Sequence, residues 1–149
     1  MKRYLIALAV GLCSALPSHA QFQKPEDAVK YRKAAFTVMA THFGRIGAMA
    51  QGRVPFDAAA ALANAEIVAE LAKLPYGGFV EGTGGSEKGS PKANVWSERA
   101  KFDEAAKSLQ AEASKLVQAA KSNNLDQLKV AFGNTARTCK ACHDNFRNE

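Results

Sequence analysis

The chain has 149 residues, 47% of them hydrophobic, with 20 lysines and arginines against 14 aspartates and glutamates and a formal net charge of +6. That length suits one domain around one core, and so modest a positive excess, spread over mixed-charge segments, excludes a nucleic-acid footprint. The 3 cysteines fall to two once the leader described next is removed, which excludes a disulfide framework.

Met1-Lys2-Arg3 is a basic head, Tyr4 to Leu16 is mostly apolar, and Ser18-His19-Ala20 is a small-x-small cleavage site. Residues 1–20 therefore read as a secretory signal peptide, too short to span a bilayer. Cys13 is preceded by Leu12, where a lipoprotein box wants Gly or Ala, so no lipid anchor is expected. No other stretch approaches the ~20 apolar residues of a membrane helix. Cleavage after Ala20 leaves residues 21–149 as a single domain, removes Cys13, Lys2 and Arg3, and lowers the net charge to +4.

The first helix is predicted from about Pro25 to Gln51. Pro25 suits the first helical position, and Glu26 and Asp27 complement the positive end of the helix dipole. Val29, Arg32, Phe36, Met39, Phe43 and Ile46 recur at steps of three or four and define its inner face. Gly52 and Pro55 end it. The second helix is expected from a cap at Asp57 to Leu74-Pro75, with an inner stripe of Leu62, Ala63, Ile67, Leu71 and Leu74. Its many alanines permit close helix approach.

Pro75 to Val95 holds 6 of the 11 glycines and 2 of the 5 prolines, a composition in which no helix is expected. Its length exceeds ordinary bundle connections and points to a crossing loop with a role. The third helix is expected from Ser97 to Lys121, with Phe102, Ala106, Leu109, Ala113, Leu116 and Ala120 inward. After a break at Ser122-Asn123-Asn124, the fourth starts near Leu125 and carries Leu128, Phe132, Cys139, Cys142, His143 and Phe146. No strand pattern and no internal repeat is visible. The expected fold is all-α: an antiparallel four-helix bundle.

Cys139-Lys140-Ala141-Cys142-His143 is a C-x-x-C-H motif, the attachment signature of c-type haem. Each thiol adds across one haem vinyl group, and the adjacent His becomes an axial iron ligand. A zinc site needs four ligands, and after leader cleavage only His42 and a carboxylate remain to complete one. Cys142 and His143 also point about 100° apart on a helix, which suits a shared tetrahedral site poorly. A thioredoxin-like pair wants a βαβ context that is missing. One covalently attached haem c per chain, with His143 on the iron, is the reading these checks leave. No Met or His lies among residues 144–149, so any sixth ligand comes from upstream.

The order of motifs resembles cytochrome c′, the class II c-type cytochromes, over nearly all of residues 21–149. The resemblance rests on Lys24-Pro25-Glu26-Asp27-Ala28-Val29-Lys30-Tyr31-Arg32, Leu74-Pro75 followed by an aromatic, the Gly-rich loop, Val95-Trp96-Ser97 and Cys139 to Arg147. It implies a haem inside the bundle, His143 as the sole protein ligand, an open apolar distal face, and homodimers that bind nitric oxide and carbon monoxide but dioxygen poorly.

Low-spin relatives place a Met five residues after the Tyr of the Tyr-Arg pair. Here Tyr31 leads to Phe36, whose ring has no lone pair for iron, so Phe36 is expected to block the sixth position. Met39, one turn on, is the alternative ligand of a dedicated low-spin electron-transfer cytochrome, and is expected instead to pack beside the ring. His42 lies 240° around the helix from Phe36 and is expected at the surface or an interface. The resemblance places Arg32 and Lys33 at haem propionates and Arg147 beside His143. Tyr76, Phe79 and Phe146 are expected in the haem pocket.

No Ser-His-Asp set, carboxylate pair or phosphate loop competes, so a gas-binding and redox protein is expected rather than a turnover enzyme. A minor nitric oxide reductase or peroxidase activity at an open iron stays open. The partners expected are the diatomic gases, a periplasmic redox protein and a second copy of the chain, with neither nucleic acid nor membrane among them.

Overall fold

The computed structural model describes residues 21–149; the leader, with Cys13 and His19, lies outside them. The helices are α1 (Pro25–Ala50), α2 (Ala58–Leu71), a one-turn α3 (Asn94–Ser97), α4 (Arg99–Lys121) and α5 (Leu125–Phe146), with a 3₁₀ turn at Pro75–Gly78. α1 packs on α2, α2 on α4 and α4 on α5, and the sparser α1–α5 contact closes an antiparallel four-helix ring, as expected from the periodicity. Among the described residues no helix is long and apolar enough to cross a membrane.

Local chemistry sets the boundaries. Pro25 begins α1, with Glu26 and Asp27 in its first turn. Asp57 caps α2 by accepting from the Ala60 N–H at 3.0 Å. Asn124 caps α5 by accepting from Asp126 and Gln127 at 2.9 and 3.1 Å. Gly52, at φ +69°, supplies the left-handed turn after α1 that a side chain would strain.

Three sequence expectations are corrected. α2 stops at Leu71 rather than Leu74, because Pro75 has no N–H to continue the ladder and its ring crowds the Leu71 carbonyl. The chain tightens into the 3₁₀ turn instead, so the glycine-rich segment does contain helical structure. The third helix begins at Arg99, since Glu98 (φ −118°, ψ 41°) breaks it from α3, whose turn is held by Trp96 Nε1 donating to Phe79 O at 3.1 Å.

The inner face of α2 is also rotated from the expected stripe. Ala61, Ala65, Val68 and Ala72 are buried at steps of four and three, whereas Ile67 and Leu74 are 37% and 46% exposed. Small residues went inside because they let α2 approach its neighbours closely; the large ones were left on the outer flank. The α4 stripe, from Phe102 to Ala120, is buried as expected. On α1, Arg32, Met39 and Ile46 are buried, with Phe36 and Phe43 half-buried. On α5, Leu128 and Phe146 are joined inside by Ala131 and Thr135.

Candidate haem site

With walls from α1 and α5, the bundle holds a cavity of about 600 Å³, within the range of cofactor sites. α5 supplies Cys139, Cys142 and His143, which its helical spacing brings to one wall. α1 supplies Arg32, Phe36 and Met39; the 3₁₀ turn and the residue after it supply Tyr76 and Phe79. Lys33, Phe146 and Arg147 also line it. The structure thus brings every expected pocket residue to one cavity. His42 stands outside, its Nδ1 donating to Asn64 Oδ1 at 2.8 Å.

Both thiols are free and half-buried, and burial pushes them above the usual thiol range. Burial first, and the Arg147 charge second, lower the His143 pKa. The imidazole is therefore kept neutral, with a lone pair available to a metal. Burial, followed by proximity to Cys142 and Cys139, pushes the Tyr76 phenol well above its ordinary range, so it stays protonated.

The aromatic residues interlock. Phe36 meets Tyr76 and Phe79 edge-on, with centroids 6.2 and 6.3 Å away. Phe79 and Tyr76 pack on Phe102 at 4.8 and 5.8 Å, and Phe102 on Phe146 at 5.3 Å. Met39, one turn from Phe36, is buried on the same wall.

Arg32 is 4% exposed. One guanidinium nitrogen donates to Gly78 O at 2.9 Å and Thr83 Oγ1 at 2.6 Å, and the other to Thr83 O at 2.6 Å. Its cation lies 4.7 Å from the Phe79 ring centroid. Arg32 therefore also fastens the Gly-rich loop to α1, a role its place in the helix stripe did not disclose. Burial lowers its pKa, yet a guanidinium remains charged. Among the described residues it has no carboxylate partner.

Sequence reasoning missed Thr135, Leu109 and Val68 on the walls, and Gly89 and Pro91 in the loop. Thr135 lies four residues before Cys139, so extending the α5 stripe backwards finds it. The loop residues carry no periodic signal.

The donor set fits a haem. Two thiols and a neutral imidazole stand on one wall of a mainly apolar cavity. Arg32, Lys33 and Arg147 line it and no carboxylate does, which suits a cofactor bearing two propionates. Among the described residues no three His, Cys, Asp or Glu side chains are placed to hold one metal ion between them, so a zinc site built from side chains alone finds no support in them.

Comparison with known proteins agrees with this geometry. A family model described as cytochrome C′ matches residues 27–147. The chain is 46% identical over 129 residues to cytochrome c′ of Rubrivivax gelatinosus, covering 87% of this chain and all of that one. It is 44% identical to cytochrome c′ of Alcaligenes xylosoxydans xylosoxydans, covering 87% of this chain and 99% of the relative. Among solved structures, the Rubrivivax protein superimposes with a TM-score of 0.80 at 47% identity, over 86% of this chain and 100% of that one. A nitric oxide complex of an Alcaligenes xylosoxidans cytochrome c prime mutant superimposes with a TM-score of 0.79 at 43% identity, over 87% and 99%. With that match along the chain, the same fold, and Cys139, Cys142 and His143 on one cavity wall, the chain belongs to the cytochrome c′ family, whose cofactor is covalently attached haem c.

Proposed function

We propose that the protein is a periplasmic gas-binding and redox cytochrome. In this reading its single haem c is five-coordinate through His143, and its apolar distal pocket is blocked by Phe36. The observation that carries the proposal is the pairing of walls: Cys139, Cys142 and His143 of α5 line the same cavity as the Phe36 ring of α1. The nitric oxide complexes of relatives 42–43% identical support nitric oxide as a ligand here.

When bound, the haem supplies an iron that exchanges electrons and takes a diatomic ligand. The chain's own residues decide the rest. Cys139 and Cys142 tether the cofactor through thioether bonds, and His143 offers its lone pair from the same helix. Arg32, Lys33 and Arg147 offset propionate charge. Phe36 must move aside before a gas occupies its place. Phe36, Met39 and Phe43 carry no hydrogen-bond donor, which disfavours dioxygen, whose bound form gathers negative charge. Nitric oxide and carbon monoxide depend less on such help.

A second reading is favoured by the position of Met39 on the cavity wall, one helical turn from Phe36. With Met39 as sixth ligand the protein is a dedicated low-spin electron carrier. Optical spectra of the ferric and ferrous protein separate the two: the five-coordinate reading expects a mainly high-spin iron in both states, and a low-spin His/Met spectrum overturns it. Residues 1–20, read as a cleaved leader, support export to the periplasm. Mass spectrometry of the protein recovered from that compartment is expected to find a chain starting at Gln21.

The α1–α2 flank leaves Val38, Ile67 and Leu74 between 37% and 46% exposed, an apolar surface beside the buried alanine face of α2. We assign it to a symmetric homodimer contact.

A further inference from the structure

The loop whose Gly89 and Pro91 line the cavity is fastened to the residues that follow α5. After Phe146 the chain leaves the helix, and Arg147 is extended at φ −121° and ψ 137°. Its N–H still donates to His143 O at 3.0 Å, the last helical bond of α5, so the helix sets its backbone beside His143 while the extended φ and ψ turn the chain that follows away from the helix. Arg147 pairs with Pro91 in an isolated antiparallel bridge. The Arg147 side chain is partly exposed, and its ionic partner among the described residues is Glu149 at a loose 4.0 Å.

Beyond that helical bond, the stretch is held by the backbone on either side of Arg147. Before Arg147, the Lys92 N–H donates to Phe146 O at 2.9 Å. After it, Asn148 is gripped at every polar atom but one. Its N–H donates to Ser90 O at 2.9 Å, and its O accepts from the Gly89 N–H at 2.7 Å. Its Nδ2 reaches Gly85 O at 2.8 Å, Ser90 Oγ at 3.0 Å and Ser90 O at 3.3 Å. Gly89, at φ +82°, takes a backbone conformation that a side chain would strain. Gly89 and Pro91 line the same cavity as His143 and Arg147.

We propose that Asn148 is a positioning residue: by bolting the loop at Gly85 and Ser90 to the segment after α5, it fixes the extended backbone of Arg147, and with it the side chain beside His143, and would thereby set how readily His143 gives up an iron it holds. This rests on the reading of His143 as the axial ligand. Asn148 touches neither the cofactor cavity nor a ligand; it acts through Arg147 and through the loop backbone.

The test uses the haem-loaded protein and two variants, Asn148→Ala and the isosteric Asn148→Asp, which lacks the side-chain N–H donors. Four quantities are read: amide hydrogen exchange at Gly89 and Lys92, the hyperfine-shifted His143 ring protons of the ferric protein, the rate at which nitric oxide displaces His143 from the ferrous protein, and carbon monoxide association. In both variants the loop amides are expected to exchange about tenfold faster or more. The His143 ring signals are expected to shift and its displacement to accelerate about threefold or more, with carbon monoxide association within about twofold of the parent, since Phe36 is on the other wall. Faster exchange with unchanged His143 signals and displacement overturns the proposal, leaving Asn148 a loop fastener only. Unchanged exchange overturns it too, because the latch would then not depend on Asn148. A low-spin parent spectrum defeats the proposed gas-binding function separately; the His143 ring signals of the variants still decide this inference.

Discussion

Phe36 packs edge-on against Tyr76 and Phe79, so swinging it aside separates two aromatic contacts. Such pairs contribute about 0.5–1.5 kcal/mol each, which places the cost of opening at about 1–3 kcal/mol. At about 1.4 kcal/mol per tenfold in rate, Phe36→Ala is expected to accelerate carbon monoxide association about tenfold or more, and to raise its affinity. Stopped-flow or flash photolysis on the two proteins measures this; an unchanged rate and affinity mean that Phe36 does not stand over the iron. Dioxygen is expected to bind the variant no better, because no donor has been added. The thiols allow an independent check at the same scale. Cys139→Ala combined with Cys142→Ala is expected to leave no haem that resists acid–organic extraction, and haem that stays with the protein through that extraction refutes the attachment.

Helix α1 shows how an element can be shaped for one neighbour. Phe43 stacks on Phe132 of α5 with centroids 4.4 Å apart and ring planes within 19°. Gly47, one turn on, is what lets that ring in, since a Cβ there would come 2.8 Å from the Phe132 ring. Gly47→Ala gains about 1 kcal/mol of helix propensity but overpacks the ring, at a cost of about 1–3 kcal/mol. The expected net effect is destabilisation of about 1 kcal/mol in denaturant melts, with a shift in haem absorbance if Phe132 is driven toward the cavity. A more stable Gly47→Ala protein would show that the ring moves away freely.

At the scale of the whole molecule, the α1–α2 flank is the surface on which a second copy is expected. Val38, Ile67 and Leu74 are too exposed to contribute much to the monomer core, and each becomes useful when covered. Sedimentation of the parent at micromolar concentration is expected to give a dimer. Ile67→Glu with Leu74→Glu is expected to give a monomer whose haem spectrum is unchanged and whose stability at matched monomer concentration is within about 0.5 kcal/mol per site. A parent that sediments as a monomer removes the assignment. The arrangement keeps the proposed dimer surface, on α1 and α2, apart from the haem-attachment motif on α5.

The sequence by itself determined the helices, the all-α bundle and the haem attachment, because each rests on local chemistry. Pro25, Asp57 and Asn124 act on backbone groups within a few residues, and two thiols and an imidazole need only one turn of helix to share a face. The α4 stripe was legible for the same reason: one repeating interval and one partner side. Tertiary structure decided what local rules leave degenerate. Helix α2 has apolar residues nearly all round, so periodicity alone could not say that Ala61, Ala65, Val68 and Ala72 go inside while Ile67 and Leu74 stay out. Close packing decided it, since only the small face admits the neighbouring helices. Arg32 looked like a member of a helix stripe; its three hydrogen bonds to Gly78 and Thr83 join residues 46 and 51 positions apart, a distance over which no pattern reports. Arg147 keeps its N–H on His143 O, as a residue four positions on should, but the ties of Phe146 and Asn148 to Lys92, Ser90 and Gly89 on either side of it were not legible. Loop contacts of that kind have no period, and only the folded chain brings their donors and acceptors together.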